Sequence, residues 1–288
     1  MWLLLGANGQ LGRCLRAALV ARGIDHVACS RGDTDITDPV AVDGLVERVV
    51  PSVIVNAAAW TNVDAAEGRE VEAEVVNRDG ARIVAEAAAD ASATLVHVST
   101  DYVFSGTGPG PIAESEPANP VNAYGRTKWE GEQAVRAAHP RGALVVRTAW
   151  LYSAHGRNFA RTMAARALAG DAVRVIDDQH GAPTSADDLA GHIIDLVTTG
   201  VGAGTYHGTN TGAATWFGFA REIYRLLGVD PGLVSSIHAS EYPARAARPA
   251  WSILGTDNTA RAGVAPMRPW SEALAEALPR IVAAAGVD

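Results

Sequence analysis

The chain has 288 residues, 48% of them hydrophobic and 19% charged, with a formal net charge of -8. That composition excludes a disordered chain and supplies enough apolar residues for one large domain, or for a domain with a smaller appendage. An acidic balance without a basic run argues against nucleic acid as a partner, and no apolar run reaches the roughly 18 residues that a membrane span needs.

The first element is Leu3 to Leu5, a short apolar run without a charged leader before it, which predicts a cytoplasmic protein. Further short apolar runs at His26 to Cys29, Val53 to Val55, Leu95 to Val98, Leu144 to Val146 and Val173 to Ile176 read as buried parallel strands. Helical spacing or alanine-rich helix formers fill Gln10 to Arg22, Pro39 to Val50, Val71 to Asp90, Val121 to His139 and Phe159 to Ala169. This alternation predicts an α/β fold, a doubly wound parallel (Rossmann) sheet. After Pro183 the rhythm loosens into a helix near Asp187 to Thr198, a short strand at Thr205 to His207, and helices at Phe217 to Leu227 and Ser271 to Ala285. Residues 1–183 are therefore expected to form the nucleotide-binding domain. Residues 184–288 are expected to form mainly a smaller α/β substrate-binding lobe, with the chain free to cross between the two. Cys14 and Cys29 have no metal-ligand or redox spacing and read as packed thiols.

The first strand runs into Gly6-Ala7-Asn8-Gly9-Gln10-Leu11-Gly12. Glycines at this spacing, between a strand and a helix, let the backbone approach a pyrophosphate while the helix offers free N–H groups and its positive dipole end. At the end of the second strand the chain reads Ser30-Arg31, where an acid would bind both ribose hydroxyls of NAD. A guanidinium there suits the 2′-phosphate of NADP, so NADPH is the expected cofactor, with NADH as the other option. Asp35 can accept from the adenine amino group, and Asp38 reads as the N-cap before Pro39. The third and fourth strands end in Asn56-Ala57-Ala58-Ala59-Trp60-Thr61 and Ser99-Thr100-Asp101-Tyr102-Val103-Phe104, at the sheet edge where ligands bind.

Lys128 is the only lysine; arginine supplies the other 23 of the 24 basic residues. It follows Tyr124 in Tyr124-Gly125-Arg126-Thr127-Lys128, and positions i and i+4 of a helix share a face. Hydride reduction of a ketone needs a proton donor and a polar stabiliser at the developing oxyanion. Tyr124 is the candidate donor, Lys128 the charge expected to draw its pKa down and to grip the nicotinamide ribose, and Thr100 the group that orients the carbonyl. Trp150 stands after the fifth strand, where it can stack on a sugar or base face or pack as core. Arg248, with Arg245 nearby, can pair with a diphosphate or remain a solvated surface residue. His180 and His207 lack ligand spacing and read as satisfied structural histidines.

These motifs, with Arg147-Thr148-Ala149-Trp150-Leu151-Tyr152, Asn158-Phe159, Asp178-Gln179-His180-Gly181-Ala182-Pro183-Thr184 and Arg248-Pro249, make the chain resemble the dTDP-4-dehydrorhamnose reductase group of extended short-chain dehydrogenases. The resemblance covers most of the chain. It implies NAD(P)H-dependent reduction of a 4-keto-6-deoxyhexose on thymidine diphosphate, giving dTDP-L-rhamnose. It implies the catalytic trio Thr100, Tyr124 and Lys128. The implied cofactor contacts are Gly6, Asn8, Gly9, Gln10, Leu11, Gly12, Ser30, Arg31, Asp35, Ile36, Ala59, Trp60, Thr61, Val98, Tyr124 and Lys128. Thr100, Asp101, Trp150 and Arg248 are the implied substrate contacts. Some relatives carry an interfacial magnesium site built of carboxylates; here Cys14 occupies the region of one ligand and Asp187 and Asp188 remain, so no metal is assigned. A homodimer is compatible with the resemblance. Two other readings stay open: a 4-ketoreductase of another dTDP-deoxysugar in secondary metabolism, and a non-catalytic regulatory subunit resembling the methionine adenosyltransferase beta subunit.

Overall fold

A computed structural model describes residues 1–285. Its main sheet is built from β1 (Trp2–Leu5), β2 (His26–Cys29), β3 (Val53–Asn56), β4 (Thr94–Thr100) and β5 (Ala143–Thr148). Two further strands, β6 (Val173–Ile176) and β7 (Gly204–His207), precede β8 (Val234–Ile237). The order across the sheet is β7-β5-β4-β3-β1-β2, every pair parallel. The strand order reverses about β1, with β2 on one side and β3 on the other, so the crevice beyond the carboxyl ends of β1 and β3 is the place where such a sheet binds ligands.

Alternation along β1 divides the core. Leu4 packs with Leu11, Leu15 and Leu19 of the first helix (Gln10–Ala21) and with Leu189 and Ile193 of Ala186–Thr199. Leu3 and Leu5 face the opposite side, against Val42 of Pro39–Val49, Val84 of Ala81–Asp90 and Val135 of Ala123–Ala138. A third cluster is built by Phe159–Leu168, Trp216–Leu226 and Trp270–Ala285 around Tyr152, Phe219, Leu274 and Ile281. No helix among the described residues is long and apolar enough to cross a membrane.

Two elements differ from their expected places. The sixth strand of the main sheet is β7, whereas β6 lies outside it and pairs with β8. A four-residue apolar strand does not carry the identity of its partner; long-range pairing decides it. The expected Val71–Asp90 helix is Glu70–Glu74, a π-helical turn at Val75–Gly80 and then Ala81–Asp90. The π turn carries the buried Asn77 side chain, which accepts from Trp60 N at 2.9 Å and donates to Trp60 O at 3.2 Å and to Thr127 Oγ1 at 3.0 Å. π turns recur at functional sites, and this one ties the end of β3 to the Tyr124 helix.

Candidate active site

A cleft of about 710 Å³ lies along the carboxyl edge of the sheet. Gly6 has φ +80°, and a Cβ there would stand 2.7 Å from Ala57 C and Ala58 N. Only glycine allows the two strand ends to approach so closely. No side chain caps the first helix at Gly9, which leaves its first N–H groups directed at the cleft. Gly6, Asn8, Gly9, Gln10 and Leu11 line this end, and Ser30, Arg31, Asp35 and Ile36 continue the wall. Ala59, Trp60, Thr61 and Val98 then lead to Thr100, Asp101, Tyr124, Lys128 and Trp150. A glycine cradle, an uncapped helix end and a run of small side chains together fit a nicotinamide dinucleotide.

Gly12 is the exception among the expected contacts of the turn, since it lies outside the cleft lining. A Cβ there would fall 2.2 Å from Gly6 O and 2.8 Å from Ala7 C, so its function is to let the helix dock on the turn. Gly12→Ala is expected to displace the turn at a cost of about 1–3 kcal/mol. Thermal melting and cofactor titration of the variant should show both a lower Tm and a weaker Kd.

The catalytic candidates converge through the Ala123–Ala138 helix. Asn122 caps it, accepting from Gly125 N at 2.7 Å, and a Cβ at Gly125 would stand 2.2 Å from Tyr102 O. The absent side chain lets the helix abut the Thr100–Tyr102 turn, where the Tyr102 and Tyr124 rings meet edge-on at 5.7 Å. Thr100, beside Tyr124 in the cleft lining, donates from Oγ1 to Asp101 Oδ1 at 3.0 Å. Burial pushes the Tyr124 phenol up to about 12, partly countered by Thr100. The ammonium of Lys128 does not draw it toward neutrality as the sequence leads one to expect. Lys128 Nζ instead donates to Val98 O at 2.7 Å, and burial lowers its own pKa to about 8 against the pull of Glu132.

Glu132, one turn beyond Lys128, braces this arrangement. It accepts from Ser99 Oγ at 2.6 Å, from Arg147 at 2.8 and 2.7 Å and from Arg136 at 2.6 Å. Burial works to raise its pKa, yet these donors, Arg147 foremost, hold the carboxyl below its ordinary value. One buried carboxylate thereby joins β4, β5 and the Ala123–Ala138 helix.

Two buried oxygens in the cleft residues have no hydrogen-bond partner: Asp101 Oδ2 and Thr148 Oγ1. Burial raises Asp101 to about 6. Such groups are suited to receive a ligand's hydroxyls, because an unpaired buried polar atom is costly. Arg248 is not brought to the cleft lining; its guanidinium pairs with Asp64 Oδ2 at 2.8 Å and donates to Ala246 O. Asp35 Oδ1, expected at adenine, already accepts from Thr37 N at 3.0 Å and Thr37 Oγ1 at 2.8 Å. His207 is only half satisfied, with Nδ1 on Gly255 O at 2.7 Å and Nε2 unpartnered, and burial lowers it to about 3. Cys14 and Cys29 are buried free thiols. Asp188 binds Arg268 through both oxygens and Asp187 faces Arg280 at 3.1 Å. Among the described residues no group of three or more His, Cys, Asp or Glu gathers to hold a metal ion.

A family model, the RmlD substrate binding domain, matches residues 1–282. A dTDP-4-keto-6-deoxy-D-glucose reductase of Streptomyces niveus is 48% identical over 96% of both chains. A dTDP-4-dehydrorhamnose reductase of Streptomyces griseus is 43% identical over 99% of this chain and 95% of its own. The chain belongs to the dTDP-4-dehydrorhamnose reductase family. The crystal structure of a dTDP-4-dehydrorhamnose reductase from Bacillus anthracis in complex with NADP superposes with a TM-score of 0.93 at 37% identity, covering 96% of this chain and 98% of the other. Within this family member the cleft is also lined by Thr148 and Arg157, with Asn77 bracing Trp60 behind it, residues that sequence reasoning did not single out. Thr148 stood within a motif already noticed. Asn77 had no local signal, because its partners are 17 and 50 positions away.

Proposed function

We propose that the chain reduces the 4-keto group of dTDP-4-dehydrorhamnose with NADPH, yielding dTDP-L-rhamnose. The observation that carries this reading is the joining of Thr100, Tyr124 and Lys128 at one end of a dinucleotide cradle, in a chain of this family. NADPH supplies the hydride when bound. The chain's own residues supply the rest. Tyr124, kept protonated by burial, gives its proton to the carbonyl oxygen, while Thr100 hydrogen-bonds that oxygen and fixes its direction. Lys128, held against Val98 O, directs its remaining N–H groups to the cofactor ribose. Asp101 and Thr148 accept the sugar's hydroxyls, and Trp150 bounds the sugar ring. The substrate-facing part combines residues after 183 with the Trp150–Leu168 segment that packs on them.

A second reading has one specific observation in its favour: the 48% relative is named for dTDP-4-keto-6-deoxy-D-glucose. Consumption of NADPH absorbance with each keto sugar in turn, followed by NMR of the product, distinguishes the two. Nucleotide binding without turnover of either sugar would support the regulatory-subunit reading.

Arg31 is the basis for preferring NADPH. Its side chain is 85% exposed and only loosely paired with Asp35 at 3.5 Å, leaving the fork available to a 2′-phosphate. Arg31→Ala is expected to reduce the NADPH over NADH ratio of kcat/KM by about 10- to 100-fold, the value of a charge-assisted contact. Steady-state kinetics with both nucleotides measures it, and an unchanged ratio would remove Arg31 from the cofactor site.

A further inference from the structure

We infer that Trp216, with Gly181, is a positioning residue that fixes the indole of Trp150 as the wall of the sugar subsite, an inference resting on the proposed substrate role of Trp150. Trp150 lines the cleft, yet its backbone has φ +45°, a left-handed conformation unusual for a bulky side chain. Such conformations persist only where the surroundings over-determine them. Here two groups do so. Trp216 stacks on the Trp150 ring with centroids 3.6 Å apart and an interplanar angle of 8°. Gly181 lies against the same indole so closely that a Cβ would stand 2.4 Å from Cε2, 2.6 Å from Nε1 and 2.7 Å from Cζ2.

Both supports are themselves anchored. Phe159 packs on Trp216 at 4.6 Å, and the Gly181 strand pairs with Ala214-Thr215, immediately before Trp216. Trp150 O accepts from Thr184 N at 3.2 Å, holding the backbone at the same point. With one ring face already covered by Trp216, Trp150 has at most its other face and its edges to offer a sugar. The stack thus sets how far the indole reaches into the cleft, and with it the fit of the deoxyhexose ring rather than of the cofactor.

The test uses the full chain and its Trp216→Ala, Trp216→Phe, Gly181→Ala and Trp150→Ala variants, with dTDP-4-dehydrorhamnose or dTDP-4-keto-6-deoxy-D-glucose, whichever the wild type turns over. Trp216→Ala is expected to raise KM for the keto sugar about tenfold, to leave the NADPH Kd within about twofold, and to abolish the near-ultraviolet circular dichroism couplet of stacked indoles. Trp216→Phe should restore most of the affinity. An unchanged KM in Trp216→Ala despite a lost couplet overturns the inference. If that variant does not fold, Gly181→Ala decides, because its Cβ must push the indole aside; an unchanged KM there is equally decisive. Trp150→Ala separates the levels. A raised KM in Trp150→Ala alone defeats only the positioning role, and an unchanged KM in Trp150→Ala defeats the substrate role on which it rests.

Discussion

Tyr124→Phe should lower kcat by about 100- to 10,000-fold, the contribution of a positioned general acid, while the NADPH Kd stays close to that of the wild type. The phenol proton is the only part removed; the ring that meets Tyr102 and the helix that abuts the Thr100–Tyr102 turn remain. Burial, which raises the phenol to about 12, keeps it protonated at neutral pH, so the acid is loaded before substrate arrives. A sugar alkoxide is more basic than a phenolate of that pKa, and the transfer still runs downhill. Single-turnover hydride transfer followed at the nicotinamide absorbance is the direct measurement. A kcat within about threefold of wild type would show that water, not Tyr124, delivers the proton.

Lys128→Arg should lose about 100-fold or more in kcat although charge is conserved. The side chain is 2% exposed and its ammonium is seated on Val98 O at 2.7 Å, a place shaped for one compact group. A planar guanidinium is wider and cannot turn its donors independently. The wild type should also show the titration of this residue. Desolvation destabilises the charged ammonium, so its proton leaves near pH 8 rather than above 10, and kcat/KM should fall as pH rises through about 8. On the acid side, burial raises Asp101 to about 6, and the rate should fall below that value as the carboxylate is neutralised and one of its oxygens turns from acceptor to donor. Asp101→Asn should remove the acid limb and leave the alkaline one. A pH profile flat from 6 to 9 would contradict both assignments.

Much of this site was legible from residue order because its parts are local. The turn Gly6 to Gly12 declares itself by spacing between a strand and a helix, and Tyr124 and Lys128 share a face because they are one helical turn apart. The sole lysine was an informative anomaly, since the structure seats it, buried, in the lining of the cleft. Its electrostatic effect was not legible. Whether an ammonium depresses a neighbouring phenol depends on what else buries and holds it, and Val98 O, 30 positions away, enters only from three-dimensional packing.

Sequence by itself determined the α/β class, most of the strands and helices and the dinucleotide turn, which follow from short-range periodicity and spacing, and it offered Thr100, Tyr124 and Lys128 as candidates. Tertiary structure alone decided that β7 rather than β6 completes the main sheet, that Arg248 is held by Asp64, that Gly12 serves packing, and that Trp150 is stacked on Trp216. Apart from Gly12, which packs on the nearby Gly6 and Ala7, these outcomes pair residues tens of positions or more apart. Backbone pairing, charge neutralisation and ring stacking select such partners only once the hydrophobic faces have closed on one another.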